Sequence, residues 1–234
     1  MSELKKRLED VRERIKRAAE SAGRNAEDIT LVAVTKTHEP DVINEAIDLG
    51  VTDIGENKVQ EIVRKYDAVK PVRWHLIGHL QTNKVKYIID KVAMIHSVDS
   101  IHLMDEIERQ AEKHNLTMDI LIQVNISGEE SKFGIPPDEI DTFLEHASCL
   151  KHVKIKGLMT ILPKNDNPMN NRLHFVNINK LYLDISGKKY DNVSMECLSM
   201  GMSGDFEDAI AEGATQVRVG TALFGARPAN RVNG

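Results

Sequence analysis

The chain has 234 residues, 41% of them hydrophobic and 29% charged, with a formal net charge of -5; this fits one large domain or two small ones and excludes collagen-like, disordered and disulfide-stapled classes. With 31 basic against 36 acidic residues and only 4% aromatics, it has neither the positive charge for a nucleic-acid backbone nor the rings to stack bases. Two cysteines, no CxxC pair, a charged N-terminus and no apolar run near the roughly 20 residues that span a bilayer point to a cytoplasmic protein without disulfides, zinc or a membrane partner.

The first segment places Leu4, Leu8, Val11, Ile15 and Ala19 on one helical face, with charge on the others. Such a helix either covers a core or meets a partner. The β-branched run 29–35 reads as a strand buried on both faces, and Pro40 with residues 41–49 as a helix stopped by Gly50. A strand over 52–55 leads to a helix over 58–66, and a strand over 73–77 to a helix over 82–90. The strand 94–98 precedes a helix over 100–115 with Ser100 as N-cap. Then come a strand over 118–124, a helix over 137–147, a strand over 153–158 and a helix over 171–185, with 163–171 as a polar loop. A short strand at 196–198, a helix over 206–212 and a strand over 216–219 complete the pattern.

Strict alternation of strands and helices implies a parallel sheet with right-handed crossovers. Eight strands without a linker-like break predict one domain over 1–234, a (β/α)8 TIM barrel with an extra N-terminal helix.

In such barrels chemistry sits at the C-terminal ends of the strands. Lys36 follows the first strand directly, where desolvation favours the neutral amine that Schiff-base chemistry needs. The alternative is a lysine that ends a strand and reaches water. Two glycine-rich segments, 198–205 and 219–225, follow strands seven and eight, where barrels of this kind hold a phosphate. Gly201, Ser203 and Gly204 precede a helix, and Gly220 and Thr221 follow the last strand, so backbone N–H groups and hydroxyls can face an anion. Ordinary turn chemistry is the other reading of such loops. Arg218, between two valines on the last strand, needs a polar partner: a cofactor ring nitrogen, a carboxylate, or a structural ion pair with Glu56 or Glu196. Asn57, after strand two, is a ligand donor or a turn former. His75 and His79 lack the neighbours of a metal site, and Cys197 reads as a small buried hydrophobe. Met195, Met200 and Met202 are expected to pack around whatever occupies the mouth. A strand-one lysine with a phosphate cup and a polar partner for a ring nitrogen suggests pyridoxal 5′-phosphate.

The strings Val-Ala-Val-Thr-Lys36-Thr, Ile54-Gly-Glu-Asn57, Trp74-His-Leu-Ile-Gly-His-Leu-Gln81-Thr-Asn-Lys84, Gly157-Leu-Met-Thr, Leu198-Ser-Met-Gly-Met-Ser-Gly-Asp-Phe206 and Val217-Arg-Val-Gly-Thr-Ala-Leu-Phe-Gly225 occur in this order across the whole chain. Together they closely resemble the pyridoxal phosphate homeostasis protein family, which is similar in fold to the N-terminal barrel domain of alanine racemase. The resemblance implies that Lys36 forms the internal aldimine and that Ser199, Met200, Ser203, Gly220 and Thr221 surround the phosphate. It further implies that Arg218 faces the pyridine nitrogen and Asn57 lies near the ring, with His79 and Met159 further out. Segment 163–193 matches the family pattern least and contributes no site residue.

A guanidinium beside the pyridine nitrogen disfavours protonating it, which makes the ring a weaker electron sink. Racemases with this arrangement need a strong base on each substrate face, and in alanine racemases the second base comes from a C-terminal β-domain. Here only nine residues (234 − 225) follow Gly225. The expectation is therefore a carrier that holds the cofactor on Lys36, takes part in intracellular pyridoxal phosphate homeostasis, supplies pyridoxal-phosphate-dependent enzymes and is monomeric. The alternative is a small fold-type III enzyme such as an amino-acid racemase, with Lys36 as one base.

Overall fold

The β-branched run after residue 29 becomes β1 (Thr30–Val34), and seven further strands follow it: β2 (Asp53–Glu56), β3 (Arg73–Leu76), β4 (Met94–Val98), β5 (Met118–Gln123), β6 (Val153–Met159), β7 (Val193–Met202) and β8 (Gln216–Val219). They form a closed parallel barrel in chain order, with β1 pairing to both β2 and β8. The structure is a computed structural model and describes residues 2–129, 131–163 and 168–225.

The helices are α1 (Glu3–Ser21), α2 (Pro40–Asp48), α3 (Val59–Lys65), α4 (Ile101–Lys113), α5 (Ile140–Ala147), α6 (Pro168–Ser186), α7 (Phe206–Ala211) and α8 (Thr221–Phe224). Local chemistry starts α2 and α4 where the sequence predicts. Pro40 opens α2, and the Ser100 hydroxyl accepts the Leu103 N–H at 3.2 Å as the N-cap of α4.

Four expectations change. The predicted helix over 82–90 is a 3₁₀ stretch, Thr82–Tyr87, and a 3₁₀ turn, Pro137–Glu139, precedes α5. The short strand at 196–198 is in fact the ten-residue β7, which absorbs Ser199, Met200 and Gly201. Pairing to β6 on one side and β8 on the other holds this glycine-rich stretch extended, an effect no local pattern encodes. In the expected loop over 163–171, residues 164–167 lie outside the described residues and α6 already begins at Pro168; the nine residues after Gly225 also lie outside.

The barrel wall has two apolar sides. Outward-facing residues merge with the helices into one continuous core, which includes Leu4, Leu8, Val11, Ile15 and Ala19 of α1. That helix therefore covers the barrel. It packs against α7 and α8, with Arg14 donating two hydrogen bonds to Glu207 (2.9 and 2.7 Å) and Arg7 one to the Phe224 carbonyl (3.2 Å). Inside the barrel, Met94, Leu121, Met159 and Cys197 form a separate, smaller cluster. Gly157 sits where the β6–β7 register shifts, at φ +149°; a Cβ there would come within 1.7 Å of the Cys197 carbonyl oxygen, so no other residue fits.

Candidate functional site

Closure of the barrel places β1 beside β8 and β8 beside β7, and the three segments singled out in the sequence share one side of the mouth. Lys36 follows β1 and is half-buried. Its approach is fixed by Thr35, which is fully buried and held twice. The Thr35 hydroxyl donates to Glu56 Oε1 at 2.7 Å, and its carbonyl accepts from Lys65 Nζ at 3.1 Å. Lys65 is itself fully buried, 2.8 Å from Glu56 and 2.7 Å from Glu61. Burial pushes the Glu56 carboxyl above its ordinary value, against the pull of Lys65. Thr37, on the other side of Lys36, has φ +69°, a left-handed conformation that costs a β-branched residue about 1–3 kcal/mol. The lysine thus stands on a strained turn anchored from below.

The two glycine-rich segments meet directly. Ser203 Oγ accepts the N–H groups of Gly220 (3.1 Å) and Ala222 (3.2 Å) at the start of α8, with Thr221 exposed between them. Gly201, at φ +89°, is pressed against α7: a Cβ would lie 2.6 Å from Ala209 Cβ and 2.9 Å from Phe206 Cα. Strand alternation separates the methionines. Met200 is buried in the outer core, Met195 packs at that core's edge and Met202 is exposed, so they do not gather around the mouth as expected.

Arg218 points into the barrel and is 3% exposed. Nη1 donates to Ser199 Oγ at 2.5 Å and Nη2 to the Thr160 carbonyl at 2.8 Å. The ion-pair alternative is overturned, since Glu56 pairs with Lys65 and Glu196 with Lys156 (2.9 Å). Burial lowers the guanidinium to about 10, with Asp205 opposing the shift, so the side chain is charged at neutral pH.

Ser199, expected around the phosphate, turns its hydroxyl to Arg218 and to His96 Nδ1 at 3.1 Å. From there a buried row of side chains crosses the barrel. His96 Nε2 lies 2.9 Å from His75 Nδ1, and His75 Nε2 lies 2.8 Å from Asp53 Oδ1. Burial, then the nearby His75 and Arg218, hold His96 well below the usual imidazole range. Burial alone would raise the Asp53 carboxyl, but hydrogen bonds from His75 and Thr52 and the charge of Arg73 prevail and hold it low. Sequence reading missed Asp53, His75 and His96 as a set. The available signal was a histidine inside the apolar strand Met94-Ile-His-Ser-Val98; pairing it with Asp53 and His75 needed the barrel.

The remaining candidates follow β2 (Asn57), follow β3 (His79) and end β6 (Met159). Asn57 and His79 line an open cavity of about 500 Å³ with Lys58, Gln81 and Lys84. His79 is exposed, 3.5 Å from Asp99 and stacked on Phe133 at 4.0 Å between centroids. Met159 belongs to the inner apolar cluster, and burial pushes the neighbouring Cys197 thiol up to about 12, which leaves it inert. Among the described residues no group of three His, Cys, Asp or Glu is placed to hold a metal, and no helix is long and apolar enough to cross a membrane.

A closed barrel with a lysine after its first strand and serine–glycine loops after its last two defines a barrel of the alanine racemase N-terminal type. The family described as alanine racemase, N-terminal domain, matches residues 7–228. Over nearly its full length the chain is 48% identical across 223 residues to the pyridoxal phosphate homeostasis protein of Aquifex aeolicus (94% of this chain, 97% of that protein) and 37% identical across 232 residues to that of Escherichia coli (97% and 98%). The chain belongs to the pyridoxal phosphate homeostasis protein family. Among solved structures, PipY of Synechococcus elongatus with pyridoxal phosphate bound is 32% identical with a TM-score of 0.79, covering 91% of this chain and 100% of that one. An alanine racemase of Clostridium difficile has a TM-score of 0.74 at 15% identity, covering 97% of this chain and 57% of that one, a likeness of fold.

Proposed function

We propose that this protein binds pyridoxal 5′-phosphate at the β1–β8–β7 side of the barrel mouth and acts in its homeostasis as a carrier. One observation carries the reading: barrel closure brings Lys36, the Ser203–Gly220 contact and the buried Arg218 onto three adjacent strands. The residues fit the cofactor. A half-buried lysine suits its aldehyde, the Ser203 hydroxyl, its oxygen held by N–H groups at the start of α8, together with the exposed Thr221 suits its phosphate, and a buried arginine suits its ring nitrogen. When bound, the cofactor supplies an aldehyde for covalent attachment and a ring that can draw electrons from an attached amine.

Each residue then has a role. Lys36 is the attachment point, positioned by the buried Thr35–Glu56–Lys65 contacts. Ser203, Gly220 and Thr221, with the backbone around Met200, form the phosphate end, and Gly201 lets β7 pass close to α7 there. Arg218, charged and immobilised, would face the ring nitrogen and disfavour a proton on it, which favours holding the cofactor over driving chemistry on a substrate. Asn57 lies towards the ring, with His79 and Met159 further out. Recipients of the cofactor are pyridoxal-phosphate-dependent enzymes, and the carrier works as a monomer in the cytoplasm.

Borohydride reduction of the protein mixed with pyridoxal phosphate tests this, read by mass spectrometry and visible absorbance. The expected result is one pyridoxyl adduct on Lys36 and no adduct in Lys36→Ala. A colourless protein without adduct overturns the reading. In deuterium oxide, a carrier leaves the α-hydrogens of single L-amino acids unexchanged; Lys36-dependent exchange would make the protein an enzyme instead.

A further inference from the structure

The buried row Asp53–His75–His96–Ser199–Arg218 links five strands, β2, β3, β4, β7 and β8, through the barrel interior. It is costly: five polar side chains, at most 3% exposed, lie in a layer that also holds Met94, Leu121 and Met159. Apolar residues of similar volume would fill that space at lower cost, so packing alone does not account for it.

With both imidazoles neutral, one assignment of hydrogens satisfies every member. Arg218 has no acceptor, so its Nη1 donates to Ser199 Oγ. The serine hydrogen then goes to His96 Nδ1, the ring nitrogen that faces it. His96 must carry its proton on Nε2 and donate to His75 Nδ1. His75 in turn carries its proton on Nε2 and donates to Asp53, whose other oxygen is held by the Thr52 hydroxyl at 2.8 Å. Both imidazoles are neutral in this arrangement. Every bond points the same way, from a buried cation at one end to a buried carboxylate at the other. Reversing any one member leaves two donors or two acceptors facing each other.

We infer that Asp53, His75 and His96 act through Ser199 as positioning residues for Arg218, holding its guanidinium in one orientation at the cofactor ring; the inference rests on the reading of Arg218 as the ring's partner. The Thr160 carbonyl fixes Nη2 and the row fixes Nη1, so the guanidinium plane cannot turn without breaking a bond on one side. The carboxylate is the orienting element, because it alone accepts at the end of the row and so decides which nitrogen of each imidazole is protonated. In the surrounding apolar layer these bonds are strengthened by the low local dielectric.

Two measurements on the full-length protein, with and without added pyridoxal phosphate, test this. Long-range proton–nitrogen NMR of the imidazoles should show His75 and His96 both neutral and protonated on Nε2 at neutral pH. A proton on Nδ1 of either ring, or a doubly protonated ring, overturns the row. Absorbance of the bound cofactor is the second. Asp53→Asn keeps the shape and one acceptor oxygen but removes the charge and puts an NH2 donor in place of the other oxygen, whereas His96→Phe removes both nitrogens. Each should shift the absorbance maximum in the direction that Arg218→Lys shifts it. If Arg218→Lys shifts the spectrum and neither row variant does, the positioning role is refuted and the ring assignment of Arg218 stands. If Arg218→Lys itself changes nothing, Arg218 is not at the ring and the inference falls with that reading.

Discussion

At the scale of the residue, the polar interior makes stability depend on pH in a definite direction. The fold holds His96 neutral and well below its ordinary value, whereas the unfolded chain protonates it near 6.5. Below that pH the unfolded state binds a proton the folded state does not, so stability falls as pH falls, by about 1.4 kcal/mol per pH unit until the folded value is reached. Asp53, held below the usual carboxylate range, contributes stability that is present above its unfolded value and lost only at more acidic pH. Denaturant unfolding at pH 7 and pH 5.5 should therefore show a steeper loss for the wild type than for His96→Phe. Equal slopes would mean that His96 is not held neutral. The same residue-scale view explains what sequence alone made visible of the site. Lys36 and Arg218 stood out because a charge beside an apolar strand is conspicuous, whereas His75 and Asp53 looked ordinary until the barrel showed where they point.

At the scale of the element, β7 shows how tertiary pairing overrides local composition. A stretch rich in glycine and serine reads as a loop, yet β6 and β8 hold it as strand up to Met202. The alternation this imposes sends Cys197 and Ser199 inward and Leu198 and Met200 outward, which separates residues that looked like one cluster. Gly201 ends this register with a left-handed turn against α7. Gly201→Ala combines a left-handed alanine with overlap against Ala209 and Phe206, and should cost about 1–3 kcal/mol. It should also weaken pyridoxal phosphate binding by displacing Ser203. Thermal denaturation and a fluorescence titration read the two effects, and an unchanged melting temperature would show that α7 yields easily.

At the scale of the whole molecule, the N-terminal helix belongs to the barrel's cover. Leu8, 1% exposed, lies in the apolar face that α1 lays against α7 and α8, beside the loops proposed for the phosphate. Leu8→Ala should destabilise the fold by about 2–5 kcal/mol, measured by denaturant unfolding, and a cost near zero would mark α1 as loosely docked. The order of strands and helices, the barrel class and the apolar face of α1 were legible in the sequence, because each rests on a short-range period: two for strands, 3.6 for helices, with caps and prolines as punctuation. Lys36 and the two glycine-rich segments were legible too, since a charge after an apolar run and clustered glycines are local signals. What the tertiary structure alone decided is which of these share a side of the mouth and what stands beneath them. Closing β1 onto β8 joins residues 186 positions apart (216 − 30), and only closure creates an interior in which Asp53, His75, His96, Ser199 and Arg218 meet. Those contacts depend on strand register around a ring, which no local pattern of residues carries.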